Sequence, residues 1–235
     1  MKNSGKMKFG FLTTQNNPLN SIWHDRIARQ SGFESVMVYD TKLLSDKDLS
    51  ITNERHDFYR IFARDFDFQS TFKYHGSVEH VVQEHLEAQL LDLQRELEVD
   101  YFVNIGTPRK LVFTTMENLL VLNIHPGKLP SYRGAMAVEW ALFEGSEIVL
   151  TMHLMDNDYD SGPIVFEKPL NVNENTITKI RDFVFLESIT FTLDCLTILT
   201  PSVIVSATPQ PLNFKARKPM SLAQQKQLQS ILEIR

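Results

Sequence analysis

Apolar and polar positions along this chain predict strands and helices in alternation. Met7 to Thr14 (MKFGFLTT) is a short apolar run closing on polar residues, the pattern of a buried first strand. After a turn at Asn16-Asn17-Pro18, Asn20 to Ser31 places Trp23 and Ile27 four apart, a helix for which Gly32 is the expected C-terminal cap. Ser35 to Tyr39 (SVMVY) is a second strand, so this opening reads as a parallel βαβ unit. From Ser77 to Glu98, Val78, Val82, Leu86, Leu90, Leu93 and Leu97 form one apolar seam, which predicts a helix capped by Ser77.

Tyr101 to Asn104 and Leu119 to Ile124 read as two buried strands, and Ala135 to Glu144 as a short helix stopped by Gly145. Ile148 to Met155 is a strand with Ile164 to Phe166 as its successor. Thr176 to Leu199 is a long apolar helix ended by Pro201. The remainder reads as a short strand (Ser202 to Ser206), a proline-containing loop and a final helix from about Ser221. The alternation predicts an α/β fold with a mostly parallel sheet flanked by helices. Residues 1–200 are expected to form the core domain and 201–235 a small C-terminal extension.

Composition sharpens this in a few places. The 235 residues are 43% hydrophobic and 23% charged, enough for a sizeable core. A formal net charge of -5 gives no basic field to hold nucleic acid, and basic residues gather only at Lys215, Arg217 and Lys218. Those three either meet a diphosphate or face solvent, and solvent is the simpler reading. The single cysteine, Cys195, excludes an intrachain disulfide and sits in an apolar run as a buried small hydrophobe. No secretory signal pattern and no apolar run of membrane-spanning length is present, so a cytoplasmic protein without a membrane partner is expected. His80 and His85 lie five apart on the predicted helix, wrong for a shared metal, and no ligand spacing suggests a zinc site. Thr41 to Tyr74 is charged and rich in aromatics, either core packing or a wall for a planar ligand.

Candidate chemistry concentrates between Asn123 and Gly162. Asn123 and His125 are two apart at the end of a buried strand, so their side chains point the same way. The C-terminal edge of a parallel sheet is where open α/β folds place ligands. Pro126 and Gly127 break the strand there, and Asp160 follows in a turn-rich loop, Asp156-Asn157-Asp158-Tyr159-Asp160-Ser161-Gly162.

The strings NIHPGKLPSYRGAMAVEWALFEG and TMHLMDNDYDSGPIV closely resemble the folate-dependent formyltransferases, in Asn123, His125, Leu129-Pro130, Tyr132-Arg133-Gly134 and Asp160-Ser161-Gly162. The resemblance is strong from about Tyr101 to Phe166 and looser towards the first strand. It departs at Gly127-Lys128, where family members often carry Ser-Leu. It implies a Rossmann-like form, N10-formyltetrahydrofolate as co-substrate without a metal, and Asn123, His125 and Asp160 as the catalytic set. Asn123 would donate to the formyl oxygen as charge develops, His125 would move the amine proton or steady the oxyanion, and Asp160 would hold the imidazole. The resemblance also implies a pteridine pocket between Gly106, Pro108, Arg109 and Leu111 on one side and Met155, Asp156 and Asn157 on the other. His153 matches a position often seen in the family and is read as structural.

The acceptor is approached by what is missing. The family's glycinamide ribonucleotide enzymes carry a Gly-rich phosphate loop after the first strand, whereas here the loop is Thr13-Thr14-Gln15-Asn16-Asn17-Pro18. The methionyl-tRNA enzymes carry a further tRNA-gripping domain, and the stretch after Asp160 is short for one. Greatest similarity in layout is to compact nucleotide-sugar N-formyltransferases. These act on substrates such as a dTDP-4-amino-4,6-dideoxyhexose for surface polysaccharide (O-antigen) synthesis, and they form homodimers. Phe58, Tyr59, Phe72 or Tyr74 would then stack on the base. The alternatives are another amine, of hydroxyornithine or glycinamide ribonucleotide type, or a non-catalytic folate or nucleotide sensor.

Overall fold

A computed structural model describes residues 5–14, 17, 19–40, 45–46, 81–82, 86–107, 111, 119–211 and 213–234. Most of Thr41 to Tyr74, with its aromatics, lies outside the described residues, as do Ser77, His80, His85, Pro108 and Arg109. The chain divides into two compact units, Met1–Val121 and Leu122–Arg235.

The first unit is built on parallel strands. β1 (Lys8–Thr14), β2 (Glu34–Asp40), β3 (Val81–Val82) and β4 (Tyr101–Asn104) run in the order β3-β2-β1-β4, and the pairs β1–β2, β1–β4 and β2–β3 are all parallel. β1 is buried on both faces from Phe9 to Thr14, which suits the near-continuous apolar run in its sequence. Phe9, Phe11, Leu12, Phe102 and Val103 form the centre of this core. Gly10 has no Cβ because one would come within 2.6 Å of the Phe102 ring.

Helix α1 (Asn20–Ala28) follows β1 and buries Trp23 and Ile27, as the four-residue spacing predicts. It ends earlier than expected. Arg29 is the C-cap and Gln30 N–H already closes a turn on the Ile27 carbonyl, so Gly32 lies too far along to cap it. The seam from Ser77 is also only partly helical. Helix α2 runs Leu86–Glu96, while Val81 and Val82 form β3, paired with Tyr39 and Asp40. The sheet edge claims this β-branched pair and overrides the helical period.

Side chains tie together the ends of the parallel strands. Thr13 Oγ1 donates to Asn20 Oδ1 (2.7 Å), Asn20 Nδ2 donates to the Thr14 carbonyl (2.9 Å), and Leu19 N–H donates to Asn17 Oδ1 (3.0 Å). Asn104 Oδ1 accepts from Gly106 N–H and Thr107 N–H, and Thr107 Oγ1 donates to the fully buried Asp40 (2.8 Å).

The second unit carries β5 (Val121–His125, whose first residue closes the first unit), α3 (Ala137–Phe143), β6 (Ile148–Leu154), β7 (Ile164–Leu170), α4 (Ile177–Ile198), α5 (Pro201–Val205) and α6 (Leu222–Ile234). Here β5–β6 and β6–β7 are antiparallel, so the chain's sheet pairing is mixed within an α/β fold. Helix α4 starts where Thr176 accepts from Lys179 N–H and buries Ile180, Val184, Ile189, Leu193 and Leu196. Arg181 on α4 binds the buried Glu139 of α3 through Nε (2.6 Å) and Nη2.

Residues 202–206 were expected as a strand, but α5 covers Ser202 to Val205 and Ser206 is its C-cap. Thr200 caps its first turn at Val203 N–H and Pro201 sits at its first position, where a missing N–H costs nothing. Local capping outweighs the strand preference of Val203, Ile204 and Val205. The rest of 201–235 packs within the second unit. Thr208 and Ile164 exchange backbone hydrogen bonds of 2.8 Å, Arg217 forms a bridge with Gly134, and Ser221 and Gln224 cap α6 reciprocally.

Candidate active site

Strand β5 delivers Asn123 and His125 to one side, as their spacing requires. Its antiparallel register with β6 sets His153 opposite Asn123 and Thr151 opposite His125. His153 therefore joins the same face. Its Nδ1 lies 2.8 Å from the Leu154 carbonyl, which can only accept, so Nδ1 carries the proton. In the neutral ring Nε2 then accepts from Asn123 Nδ2 at 3.2 Å. His153 thus does more than pack, because it orients the Asn123 amide.

His125 is buried, and its Nε2 donates to the Tyr132 carbonyl at 2.6 Å. Gly127 makes that contact possible: a Cβ there would lie 2.8 Å from His125 Nε2, 3.0 Å from the Tyr132 oxygen and 2.7 Å from Ala137 Cβ. The departure at this position is therefore part of how this chain seats its histidine. Thr151 Oγ1 donates to the Gly127 carbonyl (2.8 Å) and fixes the loop from the opposite strand.

Asp160 completes the group. Its Oδ2 is 3.4 Å from His125 Nδ1, its Oδ1 is 3.5 Å from His153 Nε2, and Gly134 N–H donates to Oδ2 at 2.8 Å. The residue has φ 50°, a left-handed conformation that Asp tolerates better than most side chains. Gly162 follows because a Cβ there would stand 1.9 Å from the Leu154 carbonyl oxygen. The Asp160-Ser161-Gly162 string therefore encodes a reversal packed directly on the end of β6. Asp156 shapes its approach, accepting from Asp158 N–H (3.1 Å) and from the Ser161 hydroxyl.

Electrostatics follow from this packing. Burial is the largest influence on His125 and pulls its pKa below the ordinary 6.5, and His153 adds to that. The Asp160 carboxylate and the Tyr132 carbonyl oppose it without reversing it. Burial would raise the Asp160 carboxyl, but its contacts with His153 and His125 and the Gly134 N–H together hold it below the ordinary carboxylate value. At neutral pH the arrangement is thus a neutral imidazole beside an ionised carboxylate, with an amide donor next to them. Such a set can take a proton and hold the resulting cation.

Arg133, quoted above only as part of a motif, has a structural task. Its Nε donates to the Tyr159 carbonyl (3.0 Å), Nη2 to Asp158 (2.9 Å) and Nη1 to the Phe214 carbonyl (2.5 Å). Arg217 is not a solvent-facing charge. It binds Glu144 through both terminal nitrogens, donates to the Ser131 carbonyl and lies 4.6 Å over the Tyr132 ring. With Tyr132 Oη also donating to Glu144 (2.9 Å), the Glu144 carboxyl is held below its ordinary range, chiefly by Arg217 against the cost of burial. Lys215 and Lys218 are exposed.

Of the predicted folate contacts, Met155, Asp156 and Asn157 lead directly into the Asp160 turn in the second unit. Gly106 and Leu111 belong to the first unit, where a Cβ on Gly106 would meet Asn17 Nδ2 at 2.5 Å. Among the described residues, no group of three His, Cys, Asp or Glu side chains could hold a metal ion, and no helix is long and apolar enough to cross a membrane. Gln210, which binds the Asp160 turn from the C-terminal segment, was missed. It lies 50 residues from Asp160, and no local pattern marks it.

Known proteins carry similar sequences and folds. The methionyl-tRNA formyltransferase of Thermodesulfovibrio yellowstonii is 34% identical over 87 residues, covering 34% of this chain and 28% of that protein. The GDP-perosamine N-formyltransferase of Brucella melitensis is 39% identical over 54 residues, covering 23% of this chain and 21% of that protein. The matches thus span under a third of these relatives' length. A sugar N-formyltransferase from Shewanella sp. has the same fold (TM-score 0.58, 14% identity, 96% of this chain and 86% of that one). So does glycinamide ribonucleotide transformylase 1 from Symbiobacterium toebii (TM-score 0.54, 20% identity, 84% and 90%). Residues 20–183, well over half of the chain, match the formyl transferase family, and the protein belongs to it.

Proposed function

We propose that this protein transfers the formyl group of N10-formyltetrahydrofolate to the amine of a nucleotide-linked amino sugar, a dTDP-4-amino-4,6-dideoxyhexose. The carrying observation is the convergence of Asn123, His125 and Asp160, with His153 between them, on one part-buried cluster in the second unit. In the proposed reaction the amine nitrogen attacks the formyl carbon. An Asn123 N–H donates to the carbonyl oxygen as it gains charge. His125, neutral at the start, takes the amine proton, and Asp160 stabilises the imidazolium so formed. The bond from the formyl carbon to N10 then breaks and N10 receives a proton, leaving a formamide and tetrahydrofolate. Met155, Asp156 and Asn157 are proposed to contact the pteridine, with Gly106, Pro108, Arg109 and Leu111 as further donor contacts.

The loop after β1 favours this acceptor over glycinamide ribonucleotide. It lacks glycine, and Asn17 already takes the Leu19 N–H at the start of α1, where a phosphate would compete for it. We further propose a cytoplasmic homodimer serving surface polysaccharide synthesis. A second reading has its own support, because the similarity to methionyl-tRNA formyltransferase covers more residues than that to the GDP-perosamine enzyme. Incubation with N10-formyltetrahydrofolate and a panel of dTDP-, UDP- and GDP-linked amino sugars, beside aminoacylated initiator tRNA, separates the two. A formylated dTDP-sugar detected by mass spectrometry is the expected result. Formylation of the tRNA alone would overturn the sugar assignment.

A further inference from the structure

The turn that carries Asp160 does not hold its shape through its own residues alone. The backbone exchange between Ile164 and Thr208 brings residues 208–210 alongside it. Gln210, itself buried, then donates from Nε2 to both the Asp160 carbonyl (3.0 Å) and the Gly162 carbonyl (2.6 Å). Two carbonyl oxygens can only accept, so the nitrogen end of the amide faces them. The other end has no partner: among the described residues, Gln210 Oε1 is buried without a hydrogen bond. An unmade buried acceptor is unfavourable, as is the left-handed backbone of Asp160, and the clamp joins the two in one place.

We propose that Gln210 is a positioning residue of the formyl-transfer site, whose side-chain amide clamps the turn from Asp160 to Gly162 so that the Asp160 carboxylate faces His125 and His153. The inference rests on the reading of Asp160 as the partner of His125. A leucine at 210 fills the same space without donating. A glutamate there sets carboxylate oxygen against the two carbonyls.

The test compares wild type, Gln210→Leu, Asp160→Asn and the double variant. It uses circular dichroism for folding and nitrogen-15 NMR of the His125 ring for its titration, which needs no acceptor. Steady-state formyl transfer to the amino sugar used by the wild type supplies the rates. The charged and polar groups facing the ring are Asp160, His153 and the Tyr132 carbonyl. With the clamp gone the carboxylate supports the imidazolium less, so folded Gln210→Leu titrates His125 at lower pH, in the same direction as Asp160→Asn. The rate constant kcat falls roughly 10–100-fold while the KM for the donor changes by less than about threefold. Adding Gln210→Leu to Asp160→Asn costs little more, because both act through one carboxylate.

A folded Gln210→Leu protein with wild-type His125 titration would overturn the proposal, as would losses that multiply in the double variant. If Asp160→Asn itself left the His125 titration unchanged, the reading of Asp160 would fall, and this inference with it. Should Gln210→Leu not fold, Gln210→Glu carries the same measurements.

Discussion

Replacing Asp160 by asparagine removes a charge and almost nothing else. The amide oxygen can still accept from Gly134 N–H, and the turn conformation is one that asparagine also tolerates. What disappears is the attraction between the carboxylate and the imidazolium that the proposed reaction forms on His125. The nearest atoms are 3.4 Å apart, and spreading each charge over its group puts the centres at about 5 Å. With an effective dielectric of about 20, that attraction is about 3 kcal/mol. If the transition state develops most of this charge, kcat falls by about two orders of magnitude. The His125 limb of the kcat/KM profile moves as well. Its proton is held less firmly without Asp160, so activity sets in at lower pH. Stopped-flow or steady-state formyl transfer from pH 5 to 9 reads both effects, and a thermal melt establishes that the variant is folded. A folded Asp160→Asn enzyme with kcat within about threefold of wild type would refute the electrostatic argument.

Three further outcomes follow from groups outside the cluster. His24 is buried, with Nε2 2.6 Å from the Tyr39 hydroxyl, and burial lowers its pKa to about 4. Its folded value lies below its unfolded one, so stability is lost as pH falls from about 6.5 to about 4, by about 2 kcal/mol at pH 5 relative to pH 7. Urea unfolding of His24→Gln should lack that component, and an unchanged pH dependence would count against it. Gly162→Ala forces a methyl against the Leu154 carbonyl and should cost more than about 3 kcal/mol or prevent folding; a wild-type melting temperature would show the turn to be more pliant than described. Burial pushes the Cys195 thiol up to about 12, so a disulfide exchange reagent should react with it only after denaturant is added. Rapid labelling of native protein would contradict that.

The parts of the site legible in the sequence were those fixed by spacing within one element. Asn123 and His125 share a face because residues two apart in any strand do, and Gly162 announces a turn that only glycine can close. The long helix was legible because α4 is a long, predominantly apolar stretch without Gly or Pro, with Thr176 before it and Pro201 after it. Features depending on a second segment were hidden. Val82 fits the helical seam, and with Val81 it became a strand only because β2 offers an edge to pair with. Arg217 read as a surface charge until Glu144, Tyr132 and Trp140 surrounded it. His153 acquired its contact with Asn123 from a strand register that no local pattern encodes.

The Arg133 guanidinium joins three stretches of chain: its own loop, the carbonyl of Tyr159 beside Asp160, and the carbonyl of Phe214 in the C-terminal segment. This bears on any attempt to re-engineer the enzyme by exchanging parts with a relative. A graft limited to residues 155–162 would import an Asp160 whose anchors stay behind, and the carboxylate would arrive without its orientation. The smallest transferable cassette therefore comprises pieces distant in sequence: the loop around Arg133, the turn itself, and the stretch from Thr208 to Arg217.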